Sequence, residues 1–360
     1  MPAIFDSTAF ASPARTISAT SFAEIRSVLE WAESEARGGS YVVVMLSYEA
    51  APAFDPALTA HQADDFPLAW AAVYSAPSNL PEIRSNVSYN PWLPAVTKHE
   101  YNRSVARIRE LIAAGDTYQV NYSFPLTSSF NGDSLAWYYQ LCRRQAARYS
   151  AYLELDRYRV LSLSPELFFE RRGDHVVTKP MKGTVQRGRD AAEDEALAQW
   201  LHNSAKNRAE NVMIVDLLRN DLGRVAVPGG VHVASLFDLE KFETVWQMTS
   251  TVEATLREGT SLADLMGALF PCGSVTGAPK IRTMEIIHEL ERFPRRAYTG
   301  TIGLLRPGGD CTFNVAIRTV ILDTETGVAT CSVGGGITID STAAEEYEEC
   351  LVKSRFLETG

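Results

Sequence analysis

Interleaved strand and helix patterns, with strands that follow one another in twos and threes, predict an α+β protein built mainly on antiparallel sheets. The chain has 360 residues, of which 46% are apolar and 22% charged with both signs present. That is the composition of a folded globular protein, long enough for two domains or one large two-layered unit. Neither an internal repeat nor a low-complexity tract interrupts the pattern.

Residues 1 to about 95 are rich in Ala, Pro and Ser. Tyr41–Leu46 is the clear strand there, followed by a segment punctuated by Pro52, Pro56 and Pro67, and Pro91 and Pro94 close it. From Lys98 the period becomes helical, with Val105, Ile108, Leu111 and Ile112 on one face and Gly115 as a C-terminal cap. Tyr118 to Leu126 reads as strand and 134–148 as a second helix. Short strands follow at 151–155, 158–163, 167–171 and 175–178. Ser204 caps a helix running to about Leu222, with Val212, Val215 and Leu218 on its buried stripe. A helix from Leu262 to Leu269 leads into the glycine-containing loop Pro271 to Gly277, and Pro279 stands at the first position of the next helix. Strands at 299–305, 311–321 and 328–333 precede a last helix, which Thr342 and Glu345 open as a capping box.

The formal net charge of −10 argues against a nucleic-acid partner, whose phosphates demand a basic face. No apolar run approaches the roughly 20 residues that span a bilayer. Met1 to Asp6 lacks a charged segment followed by an apolar core, so no secretory leader is expected and the cytoplasm is the expected compartment. Five scattered cysteines (142, 272, 311, 331, 350) without CxxC spacing speak against zinc and disulfides. None of the six histidines accompanies a GxSxG serine or a cysteine nucleophile, so triad hydrolysis is not expected.

The chemistry concentrates in a few stretches. Pro180-Met181-Lys182-Gly183-Thr184 sets a lysine in a glycine-punctuated turn after strand-like Val176-Val177-Thr178. A lysine in a tight pocket loses hydration of its charged form, its pKa falls from about 10.4, and the neutral amine becomes a nucleophile; alone, such a pair also suits a solvated turn. Glu346, Glu349 and Lys353 share one face of the last helix. They are either a solvated face or, behind Gly334-Gly335-Gly336 with its anion-binding backbone, two carboxylates for a hard cation such as Mg²⁺. Glu210 is an ordinary helix glutamate unless it faces that pair and completes the site. Glu166, between a strand and an aromatic strand, is either exposed or an inward proton donor. Arg318 interrupts the apolar run from Asn314 to Thr319, so it needs a ligand carboxylate or an internal acid as partner.

Together these stretches resemble the chorismate-utilising enzymes, and among them the branch that aminates C4. The resemblance runs from about Gly115 to Phe356 through GDTYQVN, SPELFFE, KPMKGT, NSAKNRAENVMIVDLLRNDLGRV, FPCGSVTGAPKIRTMEII, YTGTIG, AIRT and GGGITIDS…EEYEECLVK. It implies two α+β subdomains whose large, mainly antiparallel sheets pack as a sandwich with helices outside. It also implies a divergent part over 1–95 of the same unit and a chorismate-binding catalytic region over 96–360. The cofactor implied is Mg²⁺, with Glu210 and Glu349 as ligands and Glu346 in the adjoining shell. Ser274, Tyr298, Arg318, Lys353, Gln119 and the amides of Gly335 and Gly336 would line the substrate. Glu166 would protonate the departing C4 hydroxyl while Lys182 attacks C2. Ammonia from a separate glutamine amidotransferase subunit would then add at C4, giving 4-amino-4-deoxychorismate on the route to p-aminobenzoate and folate.

Two positions separate the branches. Anthranilate synthases resemble this chain but carry alanine at the place of Lys182, and isochorismate and salicylate synthases carry a water-activating lysine at the place of Gln119. A non-catalytic chorismate-binding protein would be expected to lack one of Lys182, Glu166, Glu210 or Glu349, and all four are present. One departure stands out. Relatives often have histidine in a VxHxxS-like motif where Val245 to Ser250 offers Gln247. Glutamine cannot titrate, which fits an enzyme that retains the enolpyruvyl group, and the role of Gln247 stays open.

Overall fold

The run Tyr41–Leu46 has no polar alternation, so its strand must be covered on both faces. A computed structural model describes residues 2–62, 64–79, 87–145, 147–243 and 245–358, and it shows both covers. Val43 and Met45 turn into a cluster shared with Phe5, Phe10, Trp70, Leu153, Val160 and Ile321. Val42, Val44 and Leu46 turn the other way, into the cluster that holds Ile25, Val28, Leu29, Ala32 and Ala36 of the helix Phe22–Arg37.

The first cluster is the filling between two ten-stranded sheets. One sheet runs Gly277–Ala278, Gln119–Gly132, Val328–Ile337, Thr319–Asp323, Tyr158–Ser164, Tyr149–Leu155, Ala3–Phe5, Thr8–Phe10, with Val87–Tyr89 and Leu93–Pro94 pairing on Gln119–Gly132. The other runs Met181–Gln186, Val245–Leu256, His175–Lys179, Leu167–Arg172, Cys311–Val315, Thr301–Leu305, Tyr41–Leu46, Ala69–Tyr74, Arg15–Ala19, with Ala226–Lys241 also on Val245–Leu256. Neighbouring strands are antiparallel throughout the described residues. The helices lie on the outer faces: Lys98–Ala113, Lys280–Leu290 and Ala343–Ser354 against the first sheet, Phe22–Arg37 and Ala205–Gly223 against the second. The first hundred residues thus supply strands to both sheets.

Two short passages of the chain from one sheet to the other lie side by side. Tyr158–Ser164 continues through Pro165 and Glu166 into Leu167–Arg172, and Cys311–Val315 continues through 316–318 into Thr319–Asp323. Ser164 Oγ donates to the Val315 carbonyl at 2.6 Å, the Val315 N–H to the Glu166 carbonyl at 3.1 Å, and the Leu163 N–H to the Arg318 carbonyl at 3.0 Å. The single strand expected over 311–321 is therefore two strands in different sheets. The break is made at Arg318, whose φ of 52° lies in the left-handed region that non-glycine residues rarely adopt.

Other boundaries shift less. Tyr41–Leu46 and Leu262–Leu269 fall as the pattern predicts. The helix expected over 134–148 ends at Arg144, with Asp133 accepting from the N–H groups of Leu135 and Ala136. Ser204 caps the helix Ala205–Gly223, whose buried stripe includes Asn211, Ile214, Val215, Leu218 and Leu222. Val212, one residue off that phase, is exposed rather than buried. Pro279 is the N-cap, one position before the helix Lys280–Leu290. The strand from Val328 runs on to Ile337 and takes in all three glycines. Among the described residues the cysteines are free and no helix is long and apolar enough to cross a membrane.

One ion pair fastens this assembly from within. Arg295 and Glu291 are both buried, joined at 2.6 and 2.8 Å. Arg295 also donates to the carbonyls of Val275 (3.0 Å) and Asn121 (2.7 Å) and to Thr299 Oγ1, and its guanidinium lies 4.6 Å over the Tyr48 ring. Glu291 Oε1 accepts from the Ser123 N–H at 2.7 Å and from its hydroxyl at 2.9 Å. Glu49 takes the N–H groups of Arg295 and Arg296 at 2.7 and 2.9 Å. Because removing one partner strands the other charge in a dry interior, Arg295→Met should destabilise the fold by about 3–5 kcal/mol. Chemical denaturation measures this; a loss below about 1 kcal/mol, the scale of an exposed pair, would deny the pair its fastening role.

Candidate active site

Lys182 stands in a strand rather than a free turn. Met181–Gln186 pairs with Val245–Leu256 so that Met181 faces Thr249 and Thr184 faces Gln247. Three steps on one strand thus match two on the other. The extra residue is a β-bulge, the device that re-aims a side chain at a sheet edge. Gly183 supplies it with φ +90°, and a Cβ there would meet Asn207 at 3.0 Å, so both conformation and space require glycine. The bulge leaves Lys182 in a dense setting that retains an opening. Burial pulls its ammonium below the ordinary lysine value, the carboxylates of Glu210, Glu166 and Glu349 oppose this, and Lys353 adds to it.

Glu166 sits at the first inter-sheet crossing and is buried, as the inward reading required. Burial pushes its carboxyl up to about 7, while the Ser274 hydroxyl, donating to Oε1 at 2.7 Å, and the charges of Lys182 and Arg318 act the other way. Arg318, at the second crossing, makes no ion pair shorter than 4.0 Å among the described residues. Its guanidinium lies against the Gln145 side-chain amide. Desolvation lowers it to about 10 and Glu166 is the acid that offsets this. A desolvated arginine so placed, with no carboxylate in contact, is suited to an incoming anion.

The last helix closes the other side. Lys353 Nζ donates to the Gly334 carbonyl at 2.9 Å and pairs with Glu349 at 2.9 Å. Glu346 is raised by burial and by Glu349, although Ser341 Oγ donates to it at 2.6 Å. Burial also pulls Glu349 up, but Lys353, Lys182 and Lys206 outweigh it and hold Glu349 below the usual range. Lys206 acts on both acids, so the first turn of the Glu210 helix approaches the last helix. Among the described residues, however, no three acids stand close enough to enclose a metal ion. Glu210, Glu346 and Glu349 are neighbours through a field shared with lysines, not a closed cage. Their chemistry still fits a hard cation such as Mg²⁺, which takes one or two carboxylates and completes its shell with water and ligand oxygens.

The glycines act within a strand. The Lys353 bond to Gly334, and the outward bonds of Ser123 and Asn121 opposite, show that the peptide groups of Gly334 and Gly336 face away from Gln119–Gly132. By the alternation of an antiparallel ladder, Gly335 then pairs with Tyr122. Of the two amides expected to meet substrate, that of Gly336 is the one turned outward. A Cβ on Gly336 would come within 2.6 Å of Gln119 Nε2, so any side chain there would displace the Gln119 amide. Gln119 itself is fully buried, and among the described residues neither its Oε1 nor its Nε2 has a hydrogen-bond partner. Tyr298 is buried, which raises its phenol, and its electrostatic neighbours are Arg295, Cys350, Glu291 and Cys331 rather than Glu166 or Lys182.

Residues to which the sequence assigned no role hold these groups. Gln247 Nε2 donates to the Gly183 carbonyl at 2.8 Å, and its Oε1 accepts from Thr184 Oγ1 at 2.7 Å. Asn207, whose amide bonds the Ser204 cap at 2.9 Å, presses on Gly183. Asn211, next to Glu210, accepts from Ser250 Oγ at 2.5 Å. The departure from histidine marked Gln247 in the sequence; nothing local marked the others.

Comparison with known proteins identifies the family. The profile of the chorismate binding enzymes matches residues 4–359. Aminodeoxychorismate synthase component 1 of Klebsiella aerogenes is 43% identical over 286 residues, which is 79% of this chain and 62% of that protein. An anthranilate synthase component 1 of Haloarcula marismortui is 41% identical over 256 residues, 71% of this chain and 50% of that one. The chain thus spans between half and two thirds of these curated relatives. The crystal structure of anthranilate synthase component I from Streptococcus pneumoniae shares the fold, with a TM-score of 0.83 at 24% identity over 99% of this chain and 92% of that one.

The Ser274 hydroxyl favours the ionised form of Glu166 and so opposes burial. Ser274→Ala should move the carboxyl's titration midpoint from about 7 to higher pH. Infrared titration of the protonated C=O band reads this directly; a midpoint that stays or falls would show that the hydroxyl does not hold Glu166 down.

Proposed function

The chain belongs to the family of chorismate binding enzymes, and we propose that it aminates chorismate at C4, giving 4-amino-4-deoxychorismate. The observation that carries this reading is the pairing of Lys182 and Glu166. Their surroundings drive the lysine down and the carboxyl up to about 7, the directions that a nucleophilic amine and a proton-donating acid require. A second reading, amination at C2, draws on the similarity to an anthranilate synthase. Lys182 weighs against it, because a nucleophile directed at C2 denies that carbon to ammonia.

In the proposed course, chorismate's carboxylates are met by Arg318, by the Gly336 amide and by Lys353. The lone pair of Lys182 Nζ forms a bond to C2, both conjugated ring double bonds shift by one bond toward C4, and the C4–O bond breaks. Glu166 gives its proton to the departing oxygen, which leaves as water. Ammonia then bonds to C4, both double bonds shift back, and the C2–N bond breaks. A proton from the new ammonium returns to the site, so that chorismate and ammonia give the amino product and water. Mg²⁺, held by Glu349 and Glu210 with Glu346 beside them, would supply positive charge to the substrate's ring carboxylate. A glutamine amidotransferase subunit is the proposed source of ammonia.

Incubation with chorismate, Mg²⁺ and ammonium should yield the C4 amine by mass and absorbance, and chelation by EDTA should stop turnover reversibly. Anthranilate as the main product would replace this reading with the second, and full activity in excess EDTA would remove the cation.

Without ammonia, chorismate should leave an adduct on the peptide bearing Lys182. Lys182→Ala should abolish it and cut C4 amination by about 10³-fold or more, as losses of covalent nucleophiles do. Lys182→Arg should not rescue, since guanidinium stays protonated. Near-normal amination by Lys182→Ala at saturating ammonium would make Lys182 an electrostatic group only.

A further inference from the structure

A β-bulge breaks the ladder where it inserts its extra residue, and the peptide groups there lose their cross-strand partners. At the bulge carrying Lys182 the Gly183 carbonyl is such a group. It is satisfied by a side chain, Gln247 Nε2 at 2.8 Å, from the strand opposite. The same amide presents its oxygen to Thr184 Oγ1 at 2.7 Å, so one nearly buried glutamine closes on both residues that follow Lys182. The other face of the bulge is blocked by Asn207, which leaves no room beyond the glycine's hydrogen. An amide serves here because one end donates and the other accepts, both from one fixed plane.

We infer that Gln247, with Thr184, is a positioning residue that sets the bulge and thereby the aim and surroundings of the Lys182 amine. The charged groups acting on that amine are Glu210, Glu166, Glu349 and Lys353, which approach from other elements, so the clamp works by geometry and adds no charge of its own. A bulge released from Gln247 would let the strand pair regularly, and because side chains alternate at each residue, a one-step change of register turns Lys182 to the other face.

The inference rests on the reading of Lys182 as nucleophile, and two readouts keep them apart. Competitive acetylation of the whole chain across a pH range, followed by peptide mass mapping, gives the pH midpoint of Lys182 reactivity without substrate. Chorismate amination at saturating ammonium gives kcat and KM. In Gln247→Met and Thr184→Val the Lys182 midpoint should rise toward the ordinary lysine value of about 10.4. Turnover should fall about 10- to 100-fold, the scale of a small misplacement, with KM for chorismate within about threefold. Thr184→Ser, which keeps the hydroxyl, should restore both. An unchanged Lys182 midpoint in folded Gln247→Met overturns the clamp whatever turnover does. A midpoint that moves in a protein whose wild type aminates no chorismate upholds the clamp and removes the proposed function. Should Gln247→Met fail to fold, Thr184→Val, which leaves the glutamine in place, decides by the same midpoint.

Discussion

The buried pair of Arg295 and Glu291 is the contact on which the arrangement of this molecule turns. Each charge has left water completely, and each is repaid only by partners from distant parts of the chain: the strand holding Asn121 and Ser123, the loop at Val275, Thr299, and the Tyr48–Glu49 segment. A desolvated ion is tolerated only where its hydrogen-bonding capacity is filled, so these pieces must come together or not at all. Two of them lead straight into the site. Ser274, the donor to Glu166, precedes Val275, and Gln119, beneath Gly336, begins the strand of Asn121.

From that fixed centre the two adjacent crossings, at Glu166 and at Arg318, acquire their meaning. A sandwich keeps its apolar filling between the sheets and needs few passages from one to the other. Here two passages lie in contact, and each brings one charged side chain: Glu166 at one, Arg318 at the other. Neither charge finds a full ion-pair partner there, and burial moves both toward their neutral forms. The same holds for Lys182 across the site. Burial thereby shifts three charged groups around one site.

Much was legible in the residues alone. The strand Tyr41–Leu46 and the helix Leu262–Leu269 follow from apolar runs and a serine cap, which are local signals with local causes. The α+β class and the antiparallel pairing were likewise open to reading, and motif order singled out Lys182, Glu166 and Glu349, because motif order and side-chain type survive in one dimension. Less accessible was the break at Ala316–Arg318. Apolar residues continue through it, and only pairing with two different sheets divides the run.

What the sequence by itself determined, then, is which groups the protein possesses and which segments are strand or helix, since period, caps and residue chemistry act over a few neighbours. What the tertiary structure alone decided is how those groups behave. That Lys182 sits in a bulge rather than a turn depends on register with Val245–Leu256. That Gln247, 65 positions away in the chain, closes that bulge depends on the same pairing. The acids Glu210, Glu346 and Glu349 share their field with three lysines instead of forming a cage, and this follows from how two helices approach. Desolvation and register are sums over many distant contacts, and no stretch of sequence contains them.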